Sequence, residues 1–213
     1  SKTSNFPIRN QKFLQNRIKI NKLTNHVVKK ENVMGTKGYW GEPTWLLFHS
    51  LAEKAHPEAH FRIAQMFERG DGLAQDIDKA ERFYRRAAEL GDDQAQYDIA
   101  MRYRNGNGVP QNLAESAKWL EMAAELGNVT SQMALAIVLD DGIGVPEDDG
   151  QAVFWYEKAA LGGAVDAQFI MGDRYETGRD VVRDYTRASE FYALAAEQNN
   201  TDAQYRLARL YDT

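Results

Sequence analysis

The chain has 213 residues, 43% hydrophobic and 27% charged, with five prolines and no cysteine, a composition typical of an ordered, largely helical protein. The lack of cysteine removes disulfides, thiolate nucleophiles, cysteine-ligated zinc and CxxC redox chemistry, and no apolar run approaches the roughly 20 residues that cross a bilayer. The net charge of −5 hides an asymmetry: residues 1–40 hold nine Lys or Arg against Glu31 alone, leaving 17 basic and 30 acidic residues to the rest. That first segment, rich in Asn, Lys and Ile, is expected to be a basic arm, flexible or β-like. Its Lys12, Arg17, Lys19, Lys22, Lys29 and Lys30 suit nucleic acid or an anionic membrane; the competing reading is a disordered arm or linker.

Residues 41–56 are expected to form a degenerate capping helix. Shifted by one repeat period of 36, Leu47, Phe48, Leu51, Ala52 and Glu53 fall opposite Phe83, Tyr84, Ala87, Ala88 and Glu89. From residue 57 to 213 the same phrase returns every 36 residues, as four units and a final half unit. Gly70 and Gly72 recur as Gly106 and Gly108, then as Gly142 and Gly144, and the first of the pair again as Gly178. The pair Ala87 and Ala88 recurs as Ala123 and Ala124, Ala159 and Ala160, and Ala195 and Ala196. A fixed period of this length marks stacked units that each bury a face on the next.

Within one unit, Ala95, Ile99, Ala100 and Tyr103 share the apolar side of a first helix, helix A. Asn105 to Gly108 end it, since these residues tolerate positive φ. Asn112 and Glu115 form a capping-box signal for a second helix, helix B, with Asp76, Asp148 and Asp184 at the same cap position. Helix B runs through Ala117, Trp119, Leu120, Ala123 and Ala124, and Gly127 closes it. The alanine pair lets helices approach closely, while Phe83, Trp119, Trp155 and Phe191 fill the space between layers. The last unit stops at Thr213, one position before its turn glycine, and reads as a truncated array.

From Ala59 to Tyr211 these residues resemble the Sel-one-like repeats, relatives of the tetratricopeptide repeats. The likeness rests on the AQ pairs (Ala95 and Gln96, Ala167 and Gln168, Ala203 and Gln204), the GxGV turns (Gly106 to Val109, Gly142 to Val145), Trp155 with Tyr156, and AAELG before the next unit. His60, Ser131 and the turn Gly178, Arg179, Asp180 depart from the pattern. The resemblance implies an all-α, right-handed α-solenoid of helix-turn-helix repeats. It implies an adaptor in multiprotein complexes of bacterial signalling, envelope or secretion systems, in the cytoplasm or periplasm, with no catalysis. Cysteine pairs that staple some secreted members are absent here.

A second, local resemblance covers Tyr39 to Ala55, YWGEPTWLLFHSLAEKA, which is similar to the first helix of the Erv/ALR flavin-linked sulfhydryl oxidases. It would map flavin contacts onto Trp40, Trp45 and His49. The redox-active CxxC of that family is missing, so no oxidase by that mechanism is expected; the remaining reading is a remnant, two sequences joined near His56.

No cofactor or metal is expected elsewhere. His56 and His60 have metal-binding i, i+4 spacing, but Pro57 between them starts a new helix. The acidic turn with Asp140, Asp141, Glu147, Asp148 and Asp149 lacks the alternating ligand spacing of a calcium loop and reads as solvated, with Asp148 as helix cap. The GxGV turns follow helices and open no phosphate-binding strand-to-helix turn.

Function is therefore sought on the varied surface of the helices A, expected on the concave side. Three columns vary between units: Arg62, Asp98, Ala134, Ile170 and Arg206; Gln65, Met101, Ile137, Asp173 and Arg209; and Met66, Arg102, Val138, Arg174 and Leu210. Ile63, Ile99, Leu135, Met171 and Leu207 keep one character and read as core. The expected partner-binding residues are Met101, Arg102, Ile137, Val138, Asp173 and Arg174, with Arg102 and Arg174 flanking an apolar centre that suits a peptide bearing apolar anchors and an acidic group. A protein or peptide partner, and no small-molecule substrate, is expected. The alternatives are a regulator or inhibitor of an enzyme, or a tether through the basic arm.

Overall fold

The repeating glycines and cap residues cut the chain into short helices of nearly equal length. A computed structural model of the chain describes residues 48–52 and 55–211, and among these every regular element is helical. After a helical stretch at 48–52 come α1 (Pro57–Arg69) and α2 (Ile77–Glu89), then α3 (Asp93–Asn105), α4 (Leu113–Glu125), α5 (Val129–Asp140), α6 (Asp149–Leu161), α7 (Val165–Thr177), α8 (Tyr185–Glu197) and α9 (Thr201–Tyr211). The chain divides into two units, up to Leu90 and from Gly91 onward.

The turn inside each helix pair is built the same way. Gly70, Gly106 and Gly178 cap α1, α3 and α7 in the left-handed region, with φ of 74°, 72° and 78°, where a side chain is strained. The side chains of Asp76, Asn112, Asp148 and Asp184 then accept hydrogen bonds from the first turns of α2, α4, α6 and α8. Their own backbone N–H groups donate back to Phe67, Tyr103, Leu139 and Tyr175, nine residues earlier, at 2.9 Å each. That return bond corrects the capping box expected at Asn112. The N–H that the Glu115 carboxylate would take is already bound, and the carboxylate pairs with Lys118 instead.

Between pairs the AQ motif acquires a physical reason. Ala95, Ala167 and Ala203 are fully buried, where a larger side chain would hold the helices apart. The glutamines beside the last two, and Gln132 beside Ser131, reach back to the end of the preceding helix: Gln132, Gln168 and Gln204 donate through Nε2 to the carbonyls of Ala124, Ala160 and Ala196 at 3.1, 3.0 and 3.2 Å. These carbonyls lie in the last turn of a helix, where intrahelical donors run out.

In the first unit α1 packs on α2, and Phe48, 1% exposed, joins Ala59, Ile63 and Met66 in the core, with Leu51, Ala52, Phe67 and Phe83 beside it. Leu47 and Glu53, which complete the expected capping helix, lie outside the described residues, as does the basic arm 1–40. His56 and His60 do not converge on a ligand site: the His60 ring, 8% exposed, sits at 3.0 Å from the His56 carbonyl oxygen and 5.9 Å from the Phe83 ring.

In the second unit successive helices pack in chain order from α3 to α9, and α9 also touches α7. Trp155 is shared by two core clusters, one around Leu120, Leu135 and Val138 and one around Tyr156, Met171, Phe191 and Tyr192, the bridging role that its size suggests. Gly172 stands where the other helices A have alanine. A Cβ there would lie 2.6 Å from the ring of Tyr192, so glycine admits a ring that is fully buried.

Candidate docking surface

The helices A of the second unit, α3, α5, α7 and α9, present their variable columns differently from one another. A residue three positions after a core residue lies on nearly the same side of an α-helix, whereas two positions carry it to the far side. The third column follows Ile99, Leu135 and Met171 by three, and on α5 and α7 it turns inward: Val138 is 3% exposed and Arg174 is 2% exposed, whereas Arg102 on α3 is half-buried. The second column follows by two and stays at the surface, with Met101, Ile137 and Asp173 half-buried and Arg209 exposed.

Two expected partner-binding residues are thereby corrected. Val138 belongs to the core with Leu120 and Leu135. Arg174 is locked inside: Nη2 donates to Asp140 Oδ1 at 2.5 Å, Nη1 to Asp180 Oδ2 at 2.6 Å, and the guanidinium lies 5.1 Å from the centre of the Tyr156 ring. Burial, with the Asp140 charge added, pushes the Tyr156 hydroxyl up to about 12. An arginine so engaged offers nothing to an acidic ligand.

Four of the expected residues remain at the surface. Met101 and Ile137 rest one side on the core, Arg102 is half-buried, and Asp173 accepts Arg206 at 3.5 Å. Arg206 also meets Glu176 at 3.3 Å, which ties the first column on α9 to the second on α7. Ala134 and Ile170, in the first column, are half-buried beside the same cores. The apolar strip is thus Met101, Ala134, Ile137 and Ile170. Choosing residues by variability alone missed Ile170; its apolar character among Asp98 and Arg206 in the same column was the available signal.

The acidic turns bring Asp140, Asp149 and Asp180 within reach of one another. Arg174 and Arg179 occupy that cluster, Arg179 at 3.5 Å from Asp140 and 3.3 Å from Asp180, so two of its three carboxylates, Asp140 and Asp180, are already paired with guanidinium groups. A second network, absent from the sequence reading, joins Arg187 to Glu157 and to the Tyr175 hydroxyl. It straps α8 to α6 and α7. Of the residues carrying the flavin-oxidase resemblance, Trp40 and Trp45 lie outside the described residues and His49 is exposed.

Paired helices on a 36-residue period, with glycine turns and AQ contacts between pairs, define a helical-repeat protein of the α-solenoid class. The Sel1 repeat profile matches residues 57–92, 93–128, 129–163, 165–200 and 201–213, and the chain belongs to the Sel1 repeat family. Among solved structures, a protective antigen with an SLR fold from uropathogenic Escherichia coli is 35% identical, with a TM-score of 0.66 over 78% of this chain and 36% of the antigen. A Sel1 repeat protein from Oxalobacter formigenes is 31% identical, with a TM-score of 0.65 over 74% of this chain and 65% of its own. The chain therefore spans about a third of the first relative and less than two thirds of the second. Comparison with curated proteins gives no match. Sel1 repeat proteins are generally non-catalytic scaffolds for protein–protein interaction.

Proposed function

We propose that the chain is a non-catalytic adaptor whose second unit holds a segment of a partner protein on the surface side of α3, α5 and α7, the side expected to be concave. The observation that carries this reading is the strip Met101, Ala134, Ile137 and Ile170, each half-buried on its own core and open on the other side. A helix that served only to fill the solenoid would place polar residues there, as Arg62 and Gln65 are placed on α1. Asp173, held by Arg206, borders the strip at the α7–α9 step.

The test is a pull-down with the intact chain and with Ile137→Ser, Ile170→Ser, after circular dichroism shows equal helicity. A partner lost with the double variant supports docking on this side. A partner retained at equal yield overturns it. The charge of residues 1–40 motivates a second reading, a polyanion tether. Deleting that segment then abolishes binding that weakens steeply with salt, and leaves the strip-dependent partner in place.

A further inference from the structure

The strip sits in an acidic setting. Residues 91–213 contain 21 Asp or Glu against 10 Lys or Arg, and the acids reach the docking side itself. Asp141, the cap residue just past α5, follows Ile137 by four positions and donates its backbone N–H to the Ile137 carbonyl at 3.0 Å, and Asp166 precedes Ile170 by four on α7, so each falls on the same side as an apolar strip residue. Both are exposed, and neither pairs with a cation among the described residues. Asp202, at the corresponding position on α9, is also exposed. Of the four cations in the variable columns of the second unit, two are spent: Arg174 is buried between Asp140 and Asp180, and Arg206 is shared by Asp173 and Glu176, while Arg102 is half-buried on α3 and Arg209 exposed on α9.

We infer that the segment docked on α3, α5 and α7 is cationic as well as aliphatic: a peptide whose Ile, Leu or Val side chains cover Ile137 and Ile170 while flanking Lys or Arg residues face Asp141 and Asp166. This rests on the docking side proposed above and gives it a partner chemistry. Burial of aliphatic groups supplies attraction without direction. The carboxylates on either side of the strip supply register and steer encounter, and they oppose an acidic segment. This reverses the preference that follows from Arg102 and Arg174 as flanking cations, because one of the two lies in the interior.

A peptide-display selection against the immobilised full chain tests the inference. The expected pool is enriched in peptides combining aliphatic residues with net positive charge. For individual selected peptides, Asp141→Asn, Asp166→Asn weakens binding about three- to tenfold and flattens its salt dependence, as expected for two exposed charge pairs. Ile137→Ser, Ile170→Ser abolishes it. If selected peptides bind the Ile137→Ser, Ile170→Ser variant unchanged, the docking side itself is wrong. If they need the isoleucines but are acidic or neutral, or ignore the Asp141→Asn, Asp166→Asn change, the docking side stands and the cationic chemistry is refuted. A pool with no enrichment over an unrelated helical protein refutes both.

Discussion

Arg174 offers the sharpest test of the structural account, because sequence reasoning made it a ligand contact and the structure makes it an internal tie. Its side chain is 2% exposed, and its two carboxylate partners, Asp140 and Asp180, are 11% and 24% exposed. Removing one member of a buried ion pair costs about 3–5 kcal/mol, because the remaining charge stays desolvated. The partial exposure of both acids, and the help of Arg179 at 3.5 Å from Asp140, place the loss at the lower end. Arg174→Gln is therefore expected to destabilise the second unit by about 3 kcal/mol.

The assay is guanidinium unfolding followed by circular dichroism and by the fluorescence of Trp119 and Trp155, since repeat arrays can unfold in parts. A compensated variant, Arg174→Met with Asp140→Asn and Asp180→Asn, removes all three charges together and is expected to recover most of the loss. Asn at 180 keeps a residue that tolerates the positive φ of 58° found there. An Arg174→Gln protein within about 0.5 kcal/mol of the parent that nevertheless loses its partner would refute the reasoning and return Arg174 to the docking side.

Ser131 stands fully buried where the neighbouring repeats have alanine, and its hydroxyl has no hydrogen-bond partner. Ser131→Ala is expected to stabilise the chain by up to about 1 kcal/mol, read as a rise in the unfolding midpoint. Gly172→Ala gains helix propensity of about 1 kcal/mol but places a Cβ 2.6 Å from the buried Tyr192 ring. Overpacking costs about 1–3 kcal/mol, so a net loss is expected, and a gain in thermal midpoint would show that the ring can move. Burial raises the hydroxyl pKa of Tyr156 to about 12, and burial with the Glu176 hydrogen bond raises that of Tyr192 above its ordinary value of 10. The folded state thus favours the neutral phenols. Their contribution is complete below pH 10 and falls as pH rises above it, that of Tyr156 through 10 to about 12, and Tyr156→Phe should flatten that decline in unfolding midpoints measured across the range.

The fold was legible because the sequence repeats its own punctuation. Positions that recur, such as Gly70, Gly106 and Gly178 or the cap residues Asp76, Asn112, Asp148 and Asp184, report a backbone requirement independent of their neighbours, and each is met by a local bond. The AQ glutamines were visible as a pattern. Their bond to a carbonyl eight residues earlier needed coordinates, since it depends on the turn between two helices. The proposed docking side was harder to read because variability has two causes. A position varies when solvent leaves it free, and it also varies when each unit solves a packing problem in its own way. Val138 and Arg174 belong to the second kind, and helical phase relative to Leu135 and Met171 separates them from Ile137 and Asp173 without any structure.

The same reasoning explains why a cation was tolerated in the third column. Met66 and Val138 fill that inward position with apolar groups, 2% and 3% exposed, whereas the fourth repeat places Arg174 there. The cost of burying a guanidinium is offset only if carboxylates meet it on the spot, and the turns supply them: Asp140 ends α5, and Asp180 replaces the second turn glycine of the other repeats. A departure in the turn motif and a departure in the helix column are therefore one compensated change. Reverting only one of them breaks an ion pair without removing the charges it joined: Asp180→Gly relaxes the backbone yet leaves Arg174 buried with Asp140 alone of its two carboxylates, and the proposed docking side has one fewer free cation than the variable columns suggest.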